Sequence, residues 1–183
     1  MKRIIIAAFA MLAVASQAQA QSNEQMIQRA IAPLSGRNAQ GAAVIKFNAD
    51  GSYATLREGS NAWVCYDRSG EGGRPPFAVQ CTNTGNLDRL GQNRKFAAQA
   101  MGDSDVLERL VAEAQANGSR VPAVFGSLWI SMNGQDQASA GKHTTAAVPM
   151  ATSATLGGIP NNPRAGGLWV MDEGTSEAHL MLP

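Results

Sequence analysis

The segment Ala62–Cys81 reads AWVCYDRSGEGGRPPFAVQC and decides how the fold is organised. Its two ends, Ala62–Tyr66 and Phe77–Cys81, are rich in aromatic and β-branched residues, which is typical of strands. The polar stretch between them contains three glycines and two prolines, which indicates a loop. Because each end carries one cysteine, the sequence predicts two neighbouring strands that Cys65 and Cys81 join at the base of their loop.

The first twenty residues predict export. Lys2 and Arg3 precede an apolar run of about 12 residues, and Ala18-Gln19-Ala20 is a small-x-small cleavage site. The run is shorter than the ~20 residues that a membrane span requires, so a retained anchor is the weaker alternative. No cysteine directly follows the cleavage site, which excludes lipid attachment there. We expect 1–20 to be a signal peptide and 21–183 a single mature domain, periplasmic or secreted, with no membrane span after cleavage.

Charge and cysteine content narrow the function classes. Cleavage leaves 13 basic and 14 acidic residues, so the mature net charge is about −1, and a nucleic-acid partner is not expected. An even number of cysteines in an oxidising compartment predicts the Cys65–Cys81 disulfide. Their spacing excludes a CxxC redox motif, and two cysteines alone cannot form a structural zinc site.

Hydrophobic patterning predicts an α+β fold with an antiparallel sheet. A short helix is expected to begin at Ser22–Gln25 and to end by Pro33 and Gly36. Period-two alternation and turn signals predict that the strands before Cys81 form a meander with a disulfide-pinned hairpin. These strands are Ala42–Phe47, Ser52–Arg57, Ala62–Tyr66 and Phe77–Cys81.

The second half of the chain is expected to add about two packed helices on one face of the sheet, and further strands. The helices are Leu87–Met101 and Ser104–Asn117, and the second has a clear apolar stripe. The strands are Val121–Met132 and a terminal pair, Leu168–Met171 and Glu177–Leu182. Gln135–Gly167 lacks periodicity, so we expect it to form a long loop that is mobile or lies across the sheet.

Few residues suggest catalysis. The histidines, His143 and His179, lie 36 positions apart and have no metal-ligand spacing, so no metal and no cofactor is expected. Ser127 lies in an apolar stretch without a GxSxG motif, and the glycine pairs lack the context of a phosphate-binding loop. If the terminal strands pair, His179 lies opposite the core face and is partly exposed. We expect it at a pocket edge close to His143 or an acidic side chain, where a neutral imidazole acts as a base or a ligand.

Aromatic and basic residues around the cysteines suggest a surface for an anionic or planar ligand. These residues are Arg57, Trp63, Tyr66, Arg68 and Arg74. The alternative interpretation is structural, because Trp63 and Cys65 are two positions apart and share a strand face. On that interpretation the indole packs on a buried disulfide.

One set of motifs resembles a known family. Leu56–Cys65 reads LREGSNAWVC, and it is followed by Cys81 and by His179-Leu180-Met181 near the C-terminus. This pattern is similar to an uncharacterised family of exported bacterial proteins with the motif LRxG(S/T)NxWxC, a second cysteine and a terminal His-(Leu/Val)-Met. The resemblance covers about a third of the mature chain. It implies export and a disulfide-bonded hairpin, and it implies no catalytic residue.

Three function classes follow from these observations. The first is a non-enzymatic binding or accessory protein of the bacterial cell envelope or exterior. The second is a hydrolase-like enzyme that uses His179, His143 or both. The third is a structural envelope protein, for which a flat apolar patch or an oligomer interface is expected.

Overall fold

The computed structural model describes residues 22–183, and the predicted signal peptide, residues 1–20, lies outside the described residues. The predicted α+β class is confirmed, because a mixed sheet packs with helices. The strands of the described chain are β1 Ala43–Phe47, β2 Tyr53–Arg57, β3 Trp63–Asp67, β4 Phe77–Asn83, β5 Leu128–Gly134, β6 Gly141–Ala147, β7 Trp169–Met171 and β8 His179–Leu182. The helices are α1 (22–30), α2 Gly36–Gly41, α3 Leu87–Ala100 and α4 Ser104–Ala116. Within residues 22–183, no helix is long and apolar enough to cross a bilayer.

The strand order is β2-β1-β3-β4-β5-β6-β8-β7, and every neighbouring pair is antiparallel except β1 and β3, which are parallel. The sheet therefore departs from the predicted meander after the β1–β2 hairpin. The connection to β3 crosses back over the start of β1, where the backbone amides of Ser60 and Asn61 donate to the Gly41 carbonyl at 2.8 and 3.1 Å. Gly59 permits this crossing, since a Cβ there would lie 2.6 Å from the Ala43 nitrogen.

The predicted disulfide is confirmed. Cys65 and Cys81 lie directly opposite each other on β3 and β4, with 4.1 Å between their Cα atoms. Both are fully buried beside Ile27 and Ala30 of α1, and Trp63 packs against the same cluster. The indole therefore packs at the disulfide core, as the structural interpretation of the sequence predicts.

Strand alternation gives the sheet two covered faces. Val64 and Tyr66 contact Leu90 of α3 on one face, while the disulfide contacts α1 on the other. The two predicted helices end within one residue of their expected bounds, and α4 packs on α3. The side of the sheet covered by α3 is the one that contains the candidate site.

Two predictions for the second half of the chain are wrong. The expected strand Val121–Met132 begins only at Leu128, because Pro122 has no amide hydrogen and Gly126 has a φ of 77° in a turn. The expected loop Gln135–Gly167 contains β6, which joins β5 to β8. Small residues such as Thr144 and Ala146 fill that strand, so backbone pairing holds it in place and apolar periodicity could not reveal it.

The predicted terminal strand pair is confirmed, since β7 and β8 pair antiparallel. Ala178 is buried in a core cluster with Val148, Ala151 and Val170, and Leu180 packs against it. This is the core face that the sequence predicts, and His179 is half-buried beside it. The cluster also shows that part of the expected loop, from Val148 onwards, packs on the terminal hairpin.

Candidate functional site

A cleft of about 820 Å³ lies between the sheet, helices α3 and α4, and the β3–β4 loop. Its polar and charged lining comes from strands, loop and helices that are distant in sequence. These side chains are Asn48, Tyr66, Arg68, Glu71, Arg74, Gln80, Asn93, Arg94, Arg120, Glu177 and His179. A smaller cavity of about 170 Å³ continues from it and shares Gln80, Asn93, Trp129, Glu177 and His179.

Neighbouring strands build the floor of the cleft. Tyr66 of β3 lies opposite Gln80 of β4, and its hydroxyl donates to Gln80 Oε1 at 2.6 Å. Arg68 Nη1 donates to the same oxygen at 3.1 Å. Burial raises the pKa of Tyr66 far above neutrality, so the phenol stays protonated and remains a hydrogen-bond donor. These hydrogen bonds hold the Arg68 guanidinium over the floor of the cleft.

Apolar residues from the helices form the opposite wall. Phe96 of α3, with Leu107 and Val111 of α4, faces a lining that includes Trp129 of β5. In the α4 helix, Ala114 is buried but Leu107 and Val111 are only partly buried. The apolar stripe of α4 therefore partly lines the cleft instead of closing fully on the sheet.

The β3–β4 loop brings a group of charges to one end of the cleft. Glu71 lies 2.7 Å from Arg68 Nη2 and 2.6 Å from Arg94 Nη2. Burial acts to raise the pKa of Glu71, but the hydrogen bond and charge of Arg68 and the charge of Arg94 outweigh it, so this pKa lies below its usual value. Glu71 is therefore ionised at neutral pH.

Arg74 is the exposed cation of this loop. Within residues 22–183, no carboxylate lies within salt-bridge distance of its guanidinium, and no side-chain hydrogen bond holds it. Partial burial, followed by the like charge of Arg68, lowers its pKa, although a guanidinium remains protonated in proteins. Arg74 therefore offers a positive charge and free donors to the cleft.

A second charge cluster forms the other end of the cleft. Glu177 accepts from Arg120 Nε at 3.0 Å and lies 2.6 Å from Arg89 Nη2. Arg120 also donates to Gln92 Oε1 and Asn93 Oδ1 of α3, both at 2.6 Å. Burial acts to raise the pKa of Glu177, but the charges of Arg89 and Arg120 outweigh it and the pKa is lowered. This cluster joins α3 to the terminal hairpin.

His179 and His143 do not come together. His179 lines both cavities, and its Nδ1 lies 2.7 Å from the Glu177 backbone carbonyl. Because a carbonyl only accepts, Nδ1 carries the proton of the neutral ring and Nε2 is the acceptor. His143 is exposed on β6, four positions from Ala147, the pairing partner of His179, which separates the histidines by roughly 13 Å.

The ligand surface expected from sequence divides between the two faces of the sheet. Tyr66, Arg68 and Arg74 line the cleft, whereas Trp63 packs near the disulfide. Arg57 donates to the Ala39 and Ala42 carbonyls, with distances between 2.6 and 3.1 Å, and so stabilises the junction between α2 and β1.

The remaining candidates from the sequence are Ser127 and a metal site. Ser127 is buried and its Oγ accepts from Asn86 Nδ2 at 3.0 Å, immediately before β5. Within residues 22–183, no group of three or more His, Cys, Asp or Glu side chains is arranged to hold a metal ion.

Sequence reasoning missed the helix contribution to the cleft. Arg94 and Phe96 lie in a segment predicted only as helix, Arg120 lies between the predicted helix and strand, and nothing local marks them as lining residues. The one available signal was the apolar stripe of α4, which reads equally well as core.

The fold and cleft were also compared with known proteins. No family model, curated protein or solved structure matches this chain, so the chemistry of the cleft has to be argued from its own residues.

Proposed function

We propose that this chain is an exported, non-enzymatic binding protein whose cleft holds a small organic anion with an apolar body. The observation that carries the proposal is Arg74, a cation with no acidic partner among the described residues, beside an apolar wall. Guanidinium groups bind carboxylate, sulfonate and phosphate through paired, charge-assisted hydrogen bonds. Arg68, held in place by Gln80, lies in the same loop and supports this arrangement.

The overall charge of the cleft supports an anionic ligand. Four arginines and two glutamates line it, so the lining carries two excess positive charges. The mature chain as a whole has a net charge close to zero, which means that this excess is local. A low-dielectric cleft concentrates the field of such charges and favours an anion.

The size and walls of the cleft support a ligand with an apolar part. Its volume of about 820 Å³ is in the range of pockets that enclose drug-sized molecules, roughly 300–1,000 Å³. Phe96, Leu107 and Val111 supply apolar surface that a ligand would cover.

Binding explains the cleft better than catalysis does. Glu71 and Glu177 are both ionised and engaged by arginines, so neither is a proton donor near neutral pH. His179 has one nitrogen bound to a carbonyl and lies far from His143. The enzyme alternative would therefore need the Nε2 atom of His179, or a carboxylate released from its arginines, as the base.

Fluorescence titration with anilinonaphthalene sulfonate tests this proposal, because the probe joins an aromatic body to one anionic group. Its sulfonate-free analogue, phenylnaphthylamine, is the matched neutral probe. We expect the sulfonate to bind more tightly, and Arg74→Gln to weaken its binding about tenfold, as the loss of one charge-assisted hydrogen bond implies. Arg164→Gln, at an exposed arginine outside the cleft, is the control and leaves binding unchanged. Equal binding of both probes to the wild type, or unchanged sulfonate binding by the Arg74→Gln variant, would contradict the proposal.

A further inference from the structure

Another cavity, of about 420 Å³, meets the cleft at the β3–β4 loop. It is distinct from the 170 Å³ cavity beside His179 and is called the second cavity below. Most of its wall is apolar and comes from α1, β1 and β2, including Met26, Val44 and Leu56. Five residues line both spaces, and Glu71 and Arg94 are the charged pair among them. The two spaces therefore adjoin at this boundary.

The Glu71–Arg94 pair is partly exposed and incompletely hydrogen-bonded. Arg94 Nη2 lies 2.6 Å from Glu71 Oε1, yet neither Glu71 Oε1 nor Arg94 Nε has an aligned hydrogen-bond partner among the described residues. The guanidinium rests on the Phe47 ring, 3.9 Å from its centroid. The side chains of Arg94 and Glu71 are 17% and 27% exposed, so water can hydrate both charges when the pair separates, which lowers the cost of its rearrangement.

Two glycines flank Glu71, whose own backbone makes turn bonds: its N–H donates to the Arg68 carbonyl at 2.9 Å, and its carbonyl accepts from the Arg74 N–H at 3.1 Å. Gly70 and Gly72 do not have positive φ angles, and a Cβ at either position would meet nothing within 4 Å. Neither glycine is therefore required by packing or by a left-handed conformation. Their effect is to give the Glu71 segment more backbone freedom than other residues would.

We propose that the anion bound in the cleft carries a linear apolar chain, and that this chain passes the Glu71–Arg94 pair to fill the second cavity. The inference rests on the proposed anion binding, and it adds the chemical class of the ligand: an amphiphile with an anionic head and an alkyl tail. The head lies at Arg74 and Arg68, and the tail reaches the apolar wall around Met26 and Leu56.

Calorimetric titration with straight-chain carboxylates, from hexanoate to tetradecanoate below their micelle concentrations, tests the inference. Burial of each added methylene group predicts a gain in affinity of about fourfold until the second cavity is full. Met26→Trp fills that cavity, so it should remove the gain for long chains while hexanoate and anilinonaphthalene sulfonate bind as before. Gln28→Trp, at an exposed position on the same helix, is the matched control and should leave the whole series unchanged.

The outcomes separate this inference from the proposed function. Arg74-dependent binding of hexanoate without any gain along the series overturns the inference and leaves anion binding intact. A gain that persists in Met26→Trp overturns it as well. If Met26→Trp does not fold, Leu56→Trp, which fills the same cavity from β2, provides the same readout. Failure of hexanoate and the sulfonate probe to bind overturns both proposals.

Discussion

The two ends of the cleft contain clusters of the same composition, one glutamate between two arginines, but they differ in how completely they are bonded. Around Glu177, Arg89 and Arg120 also bond to α3 side chains and to backbone carbonyls. Around Glu71, one carboxylate oxygen and one guanidine nitrogen have no aligned partner among the described residues. The comparison predicts that the first cluster contributes more to the stability of the fold than the second.

Removing Glu177 should have the largest effect on stability. Glu177→Ala leaves Arg89 and Arg120, with side chains only 4% and 3% exposed, without their counter-charge. Uncompensated buried charges predict a loss of about 3 kcal/mol in the free energy of unfolding, measurable by urea denaturation. Glu113→Gln, in an exposed pair with Arg109, is the control and should cost less than about 0.5 kcal/mol. A loss below about 1 kcal/mol for Glu177→Ala would mean that the Glu177 cluster does not stabilise the contact between α3 and the terminal hairpin.

Removing the disulfide tests whether the base of the Glu71 loop depends on it. Replacing both Cys65 and Cys81 by Ala opens a loop whose ends are 16 positions apart, which predicts a loss of about 3 kcal/mol at most. Because Tyr66 and Gln80 neighbour the cysteines in the same strand pair, we also expect weaker binding of anilinonaphthalene sulfonate. Unchanged binding in a variant that is still folded would show that the cleft floor does not need the disulfide.

The pH dependence of stability should differ between the clusters. Both glutamates have folded pKa values below the usual 4.5, so their contribution is present above about pH 4.5 and is lost as the pH falls through the lowered values. The stability advantage of the wild type over Glu177→Gln should therefore shrink between pH 5 and pH 3. We expect the advantage over Glu71→Gln, about 1 kcal/mol at pH 7, to shrink in the same direction. If Glu71→Gln lost more stability relative to the wild type than Glu177→Gln did, the Glu71 cluster would be the more important one for the fold, contrary to this comparison.

Arg74 should have the smallest effect on stability. Its guanidinium bonds to no other side chain among the described residues, so Arg74→Gln should change the free energy of unfolding by less than about 0.5 kcal/mol. The same variant is expected to lose anion binding. A loss of more than about 1 kcal/mol in thermal or urea denaturation would make Arg74 a structural residue instead.

Local sequence signals predicted the elements that neighbouring residues determine. The disulfide-bonded strands, the bounds of α3 and α4, and the terminal hairpin each rest on residues within about twenty positions of one another. Turn residues, apolar periodicity and cysteine placement act over this range, so these features could be predicted.

Only the tertiary structure decided the long-range arrangement. The parallel pairing of β1 with β3 depends on the close approach of Gly59 to Ala43, and β6 is held by backbone bonds to two strands, not by apolar side chains. The cleft likewise joins Arg68 and Arg74 to Trp129 and His179, more than fifty positions away. Periodicity reports which face of an element is apolar but not which distant element covers it, so the sequence determined the elements with local signals, and the packing determined β6 and the site.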